Sequence, residues 1–190
     1  MEDRLPQSVI SAACGAAMMS PCRKSKRGAV IFKRSHAAGQ NTLFATSYNS
    51  PPWPYECDGS EGCRSGCREI AVHAEQRALL DSGIGDVPWR ERPDLELVHV
   101  KVVKPAGCET KCDHDPISHL VPSGPPSCAQ CSKLILEARI GCVWLFEPVG
   151  VYAASEPVPV DWDRTGVWSR YDSASFHRIS LRNNNLHIHI

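Results

Sequence analysis

The chain has 190 residues, enough for one compact domain, and 42% of them are hydrophobic, enough to fill a core without disulfides. Lys plus Arg and Asp plus Glu number 21 each, which argues against a strongly basic nucleic-acid binder and favours a small-molecule substrate. No apolar run is long enough to cross a bilayer, and residues 1–6 lack the order of a secretory signal, so we expect a soluble cytoplasmic protein.

Ten cysteines occur without an export signal, and several of them stand in short pairs. Short pairs of this kind are typical of metal ligands, whereas a disulfide framework is typical of small secreted domains. We therefore interpret the chain as reduced and zinc-binding.

The N-terminal half predicts a helix, a hairpin and a second helix. Apolar residues recur at helical spacing before the Ser-Pro pair at positions 20 and 21: Leu5, Val9, Ala12, Ala13 and Ala16. Two β-rich runs, 28–33 and 42–48, flank a polar turn and predict a hairpin. Segment 50–68 is too rich in Pro and Gly for regular structure, and a helix is expected over 72–81.

The C-terminal half continues the alternation of strands and helices. A β-branched strand is expected over 95–103, a second irregular stretch over 104–126, a short helix over 127–139 and an apolar strand over 142–146. This order predicts an α/β domain with helices packed on a sheet.

After residue 150 the periodic pattern weakens, so we expect one domain over 1–150 and a C-terminal extension over 151–190. The extension contains several aromatic residues and ends in an alternating run, 186–190. We expect it to pack on the domain, with that run as an added strand.

The most specific pattern combines the triplet His73-Ala74-Glu75, at the start of one predicted helix, with Cys128 and Cys131, at the start of another. Cysteines three apart on a helix share a face, with Cβ atoms roughly 5–6 Å apart, so both thiolates can bind one tetrahedral zinc ion. His73 is the third candidate ligand, which leaves the fourth position for water and indicates a catalytic zinc. Glu75 is the residue placed for proton transfer.

A lone Cys-x-x-Cys pair would equally suit a structural zinc knuckle, with His73 and Glu75 as ordinary helix residues. Both motifs occur together here, in the right order and with a strand between them, and this pairing is the signature of the zinc deaminases. A structural site would also have no use for Glu75.

Beyond the metal motif, residues 5–147 resemble the deoxycytidylate (dCMP) deaminase branch of the cytidine deaminase superfamily. Segment 20–31 is similar to that family's first strand and its approach, and segment 46–51 is similar to its Gly-Tyr-Asn-Gly-x-Pro sequence. The resemblance implies a three-layer α/β/α sandwich, with a mixed sheet of about five strands and helices on both faces. It also implies substrate contacts for Asn49 and Ala74, assembly into homo-oligomers and deoxynucleoside triphosphate effectors.

The sequence departs from the family pattern at three places, and one of them, Arg77, bears on the identity of the substrate. Arg77 stands where the family usually has Asn, and a guanidinium there could bind a substrate phosphate in bidentate fashion; the alternative is an exposed helix residue. Ser127 separates Pro126 from the first cysteine of the pair, and segment 104–126 is longer than the family's usual connection.

Four further cysteines are candidates for a second, structural zinc site that orders the first long loop, as in some members of this branch: Cys22, Cys57, Cys63 and Cys67. Free thiols are the alternative. The basic run 23–27 is interpreted as a solvated face or a phosphate contact, and His99 as a packed or edge histidine.

We therefore expect zinc-dependent hydrolysis of the exocyclic amine of a cytosine-type base in a free deoxynucleotide such as dCMP, with release of ammonia. Two alternatives stay open. The base could belong to tRNA or single-stranded DNA, or the chain could be a zinc-stabilised interaction module without catalysis.

Overall fold

The computed structural model describes residues 5–34, 41–63, 70–103, 116–121, 129–147 and 175–180. The helices within these ranges are α1 (Gln7–Met19), α2 (Ala74–Asp81) and α3 (Ala129–Glu137). The strands are β1 (Lys26–Lys33), β2 (Thr42–Tyr48), β3 (Leu95–Val102), β4 (Leu120–Val121), β5 (Cys142–Glu147) and β6 (Ser175–Ser180). Short 3₁₀ turns cover Ile84–Asp86, Arg92–Asp94 and Pro116–His119.

The strands form one mixed sheet in the order β2-β1-β3-β5-β6, and the two-residue strand β4 pairs with the end of β3. The pairs β1–β2, β1–β3 and β5–β6 are antiparallel, whereas β3 and β5 run parallel. A parallel pair needs a crossover connection, and α3 lies on the chain between these two strands.

Two hydrophobic clusters lie on opposite faces of the sheet. Alternate residues of β3 divide between them, because successive side chains of a strand point to opposite faces. Leu95 and Leu97 belong to the cluster that contains α2 and α3 residues, and Val98 and Val100 belong to the cluster that contains α1 residues. The result is a three-layer α/β/α sandwich, as predicted.

The helices and strands shared by the prediction and the structure differ at their ends by no more than two residues, which is the usual uncertainty of element ends. Segment 50–68 was expected to be irregular, but residues 61–63 are helical. Segment 104–126 includes a 3₁₀ turn and β4. Local composition misses such short elements because tertiary contacts stabilise them.

The C-terminal extension supplies β6, which pairs with β5 from Ser175 to Ser180. The strand expected over 186–190 lies outside the described residues. In the part of the chain that the structure describes, no helix combines the length and the apolar character needed to cross a membrane.

Candidate metal centre and active site

The candidate site lies where α2 begins. His73 is the N-cap of α2, with an extended backbone, and its N–H donates to Gln76 Oε1 at 3.0 Å. The residue before it, Val72, exchanges both backbone hydrogen bonds with Ser50, at 2.9 and 3.1 Å, which ties the start of α2 to the chain just beyond β2. Side chains two positions apart within a helix point in different directions. His73 precedes the first helical turn, which holds Glu75, so both side chains can face the same site.

Three of the predicted site residues come together. The Sγ atom of Cys131 lies 3.3 Å from His73 Nδ1, and the candidate ligand atoms of His73, Glu75 and Cys131 all lie within 4.8 Å of one another. Cys131 is fully buried and Glu75 is 3% exposed. Cys128 lies outside the described residues, one position before α3 begins.

The His73 and Cys131 atoms suit a zinc ion. Zinc binds nitrogen at about 2.0–2.1 Å and sulfur at about 2.3 Å, so two such ligands at a tetrahedral angle are roughly 3.6 Å apart. The observed separation of 3.3 Å is close to this value. Imidazole and thiolate are also the ligand types that zinc prefers.

A buried histidine that the motif did not include lies behind Glu75. His99 of β3 is 1% exposed, and its Nε2 atom is 3.8 Å from Glu75 Oε1 and 3.5 Å from Arg27 Nη1. The pKa of His99 is lowered to about 4: burial is the largest cause, the charge of Glu75 opposes it, and the charges of Arg27 and His73 add to it. The imidazole is therefore neutral at neutral pH.

The sequence already contained a signal for this position. His99 follows Leu95 and Leu97 at alternate positions of β3, so the period of two places it on the same inward face. A histidine on a buried face needs polar neighbours, and here Glu75 and Arg27 provide them.

Asn49 is buried, and its side chain bonds to the segment that leads from the end of α1 into β1. Its Oδ1 accepts from the Arg27 N–H at 2.7 Å and from Ser20 Oγ at 2.9 Å, and its Nδ2 donates to the Ser25 carbonyl at 2.8 Å. These bonds fix the position of the chain at the end of β2. A substrate contact for Asn49 stays a prediction.

Arg77 reaches from α2 to the chain at the end of β2. Its Nη2 donates to Ser50 Oγ at 2.5 Å, and its guanidinium carbon lies 5.9 Å from the centre of the Tyr48 ring. The Arg77 Nε atom is buried and has no hydrogen-bond partner among the described residues. Ala74, the first residue of α2, is fully buried in the core.

Two of the four candidate accessory cysteines approach each other within the first long loop. Cys57 Sγ lies 3.5 Å from Cys63 Sγ and accepts from the Arg23 N–H at 3.4 Å. Burial raises the pKa of the Cys57 thiol, but hydrogen bonds from Arg23, Cys63, Gly59 and Cys22 outweigh burial, so the pKa lies below its usual value.

The Sγ atom of Cys22 likewise accepts a hydrogen bond from a backbone N–H, that of Ser25, at 3.3 Å. Cys67, the fourth candidate, lies outside the described residues.

The fold and the site together define an α/β protein with a buried cluster of zinc-type ligands beside a carboxylate. No family model matches the chain, and no curated protein matches it significantly. One similar solved structure is the dCMP deaminase from the cyanophage S-TIM5 in apo form, which is 18% identical; the match covers 70% of this chain and 75% of that chain, with a TM-score of 0.41.

The same cyanophage enzyme in complex with dCMP and dUMP is also similar. It is 19% identical to this chain, and the match covers 74% of this chain and 79% of that chain, with a TM-score of 0.45.

Proposed function

We propose that this chain is a zinc-dependent deaminase that hydrolyses the exocyclic amine of a cytosine-type base in a free deoxynucleotide such as dCMP. The observation that carries the proposal is the convergence of His73, Cys131 and the buried Glu75 in one cluster. Cys128 completes the proposed set of three zinc ligands.

His73, Cys128 and Cys131 would hold the zinc ion, and the chemistry it would supply is the activation of water at neutral pH. In the proposal Glu75 is the proton carrier. Its carboxylate takes one proton from the attacking water and delivers it to the ring nitrogen, and then takes the second proton from the added hydroxyl and delivers it to the departing amine. The water oxygen bonds to C4 of the base, the C–N bond breaks, and ammonia leaves. Burial keeps Glu75 away from bulk water, which would otherwise compete for these protons.

The substrate part of the proposal assigns Arg77 to the phosphate and Asn49 and Ala74 to the nucleoside. Arg77 lies one turn into α2 from His73, and the Arg77 backbone N–H donates to the His73 carbonyl at 3.0 Å. The Arg77 guanidinium lies against Ser50 Oγ at the end of β2, and we assign it to an anionic group on a bound nucleotide. The balanced charge of the chain supports a free nucleotide over a polynucleotide.

We further propose that Cys22, Cys57, Cys63 and Cys67 bind a second, structural zinc ion. The short distance between Cys57 and Cys63 and the backbone donors aimed at the sulfurs support this. Homo-oligomers and regulation by deoxynucleoside triphosphates complete the proposal, and both follow only from the sequence resemblance.

The test is a screen for ammonia release with cytosine, adenine and guanine nucleosides, their nucleotides and short oligonucleotides. We expect dCMP to be the preferred substrate.

A second test is the Glu75→Gln variant, which keeps the shape of the side chain. The variant should retain zinc, and its kcat should fall by at least about 10²–10⁴-fold. Glu137→Gln changes an exposed glutamate of α3 in the same way and should leave the rate unchanged.

Two outcomes would contradict the proposal. Full activity of zinc-free protein would remove the metal from the mechanism, and preferential activity on oligonucleotides would favour a deaminase of nucleic acid. Loss of zinc from the Glu75→Gln variant would show that Glu75 is a metal ligand.

A further inference from the structure

We propose that Arg27 is a further catalytic residue, whose guanidinium binds the ring carbonyl oxygen, O2, of the cytosine base. This inference rests on the proposed function and deepens it, because it names the group that recognises a pyrimidine and stabilises charge on it. Arg27 belongs to the basic run 23–27, for which the proposed mechanism has no use.

Neighbouring members of this basic run lie on different sides of the sheet. Successive side chains of a strand point to opposite faces, so Lys26 and Arg27 leave β1 in opposite directions. Lys26 Nζ donates to the Ser20 carbonyl at the end of α1. Arg27 shares its face with Ala29 and Ile31, which belong to the cluster that contains α2 and α3 residues. Arg27 therefore lies on the side of the sheet that holds the candidate site.

Two hydrogen bonds hold the Arg27 guanidinium beside this site. Its Nε donates to Ser25 Oγ at 3.1 Å, and its Nη1 donates to His99 Nε2 at 3.5 Å. The same His99 nitrogen is 3.8 Å from Glu75 Oε1, so one imidazole atom lies close to both the guanidinium and the carboxylate. His99 and Glu75 are buried, whereas Arg27 is half-buried and is more accessible to a ligand. The contact at 3.5 Å is long, so a stronger acceptor on a ligand can replace it.

The surroundings of the guanidinium favour a ligand that carries negative charge. Ser25 and His99 are neutral acceptors, since the pKa of His99 is lowered to about 4, chiefly by burial. In the β1–β3 register Lys101 lies directly opposite Arg27, and like charges opposite one another on a sheet are destabilising. A ligand oxygen that gains negative charge here would relieve this repulsion.

The order of the groups in the site matches the order of the atoms in a cytosine ring. In the ring, the amine-bearing carbon C4 is followed by the nitrogen N3, and N3 by the carbon C2 with its oxygen O2. In the protein, the pair His73 and Cys131 lies beside Glu75. The next groups are His99 and the Arg27 guanidinium. A base with C4 beside the first pair and N3 at Glu75 therefore directs O2 toward Arg27.

The proposed reaction increases the negative charge on O2. When the water oxygen bonds to C4, one electron pair of the C4–N3 double bond moves to N3 and is shared with O2 through C2. Glu75 then delivers one proton to N3 and the second, from the added hydroxyl, to the amine, and ammonia leaves as the C4 carbonyl forms. A fixed positive group at O2 stabilises the charge while it is on the ring. Adenine has a hydrogen at the equivalent carbon, so this contact also selects against adenine.

The test compares dCMP with 2-thio-dCMP, in which sulfur, a weak hydrogen-bond acceptor, replaces O2. The wild-type chain should have the higher kcat with dCMP. Arg27→Met keeps the length of the side chain and removes its donors, so it should lower kcat for dCMP by about 10²-fold, as the loss of one charge-stabilising donor does. The loss for 2-thio-dCMP should be much smaller, so the preference for oxygen over sulfur should fall toward one.

Two more variants separate this role from a folding defect. Arg27→Lys keeps the positive charge, so it should show an intermediate kcat and an intermediate preference even if Arg27→Met folds poorly. Lys24→Met is the matched control, since Lys24 belongs to the same basic run but is exposed and donates to the Ser60 carbonyl at 2.8 Å. This control should leave kcat for both substrates unchanged.

Binding of the product dUMP provides a readout that does not depend on turnover. The product retains O2, so Arg27→Met should raise its Kd by about 10-fold, as the loss of a hydrogen bond to a charged group does. The variant should bind 2-thio-dUMP as well as the wild-type chain does. Isothermal titration calorimetry will measure both affinities.

An unchanged preference for oxygen over sulfur in Arg27→Met would overturn this role alone. The role would also be wrong if Arg27→Met lost the preference for dCMP over deoxycytidine and kept that for oxygen, since Arg27 would then bind the phosphate. A wild-type chain without deaminase activity on any base would contradict the proposed function and this role together.

Discussion

At the scale of single residues, one experiment can separate the observed contacts of Arg77 from its proposed role in binding substrate. Its guanidinium holds Ser50 and faces Tyr48, and the proposal assigns it to a substrate phosphate. We expect Arg77→Ala to raise KM for dCMP by about 10–100-fold, because a hydrogen bond to a charged group contributes about 1.5–3 kcal/mol. KM for deoxycytidine, which has no phosphate, should hardly change, as steady-state kinetics on both substrates will measure.

The control for this prediction is Ser50→Ala, which removes the partner of Arg77 and leaves the guanidinium in place. It should retain the preference for the nucleotide. If Ser50→Ala and Arg77→Ala instead raise KM for both substrates alike, Arg77 acts only by holding the chain at the end of β2.

At the scale of elements, α1 packs so closely on β1 that position 28 of β1 has room only for glycine. A Cβ atom at Gly28 would lie 2.1 Å from the Ala13 carbonyl oxygen and 2.7 Å from the Ala17 nitrogen, both of them backbone atoms that cannot move aside alone. We expect Gly28→Ala to lower the free energy of unfolding by about 1–3 kcal/mol, the usual cost of overpacking. Urea denaturation followed by circular dichroism will measure the change.

The matched control is Gly15→Ala in α1. A Cβ atom at Gly15 would meet nothing within 4 Å, so this change should be neutral or stabilising by about 0.5–1 kcal/mol through helix propensity. Equal stability of the two variants would mean that α1 can shift away from the sheet without cost.

At the scale of the whole molecule, the accessory cysteines join segments that are distant along the chain, since Cys57 contacts both Arg23 and Cys63. We expect elemental analysis to find two zinc ions per chain, and Cys57→Ser to leave one. That variant should also have a lower Tm, because an ion that binds only the folded state stabilises it. The catalytic zinc and the activity of the folded protein should be retained.

Cys14→Ala provides the comparison, because Cys14 is a buried core residue of α1 outside both proposed sites. It should keep both zinc ions even if the core loses some stability. One zinc per wild-type chain would leave the accessory cysteines as free thiols.

Structural features that depend only on neighbouring residues along the chain could be predicted from the sequence. Periods of 3.6 and 2 located α1 and β3. The triplet at residues 73–75 and the later cysteine pair predicted four site residues, of which the structure brings three together, namely His73, Glu75 and Cys131. Side-chain spacing within one element is a property of local geometry. Such patterns can therefore be recognised without knowing the fold.

Which helices and strands pack against one another could be seen only in the tertiary structure. The approach of His99 to Glu75 depends on the packing of α2 on β3, and the bonds of Asn49 to Ser20 and Arg27 depend on how β2 returns beside β1. These contacts join residues 22 to 29 positions apart along the chain, and no local preference specifies them. Strand order, register and helix packing specify them instead, because these follow from burying all the apolar faces at once.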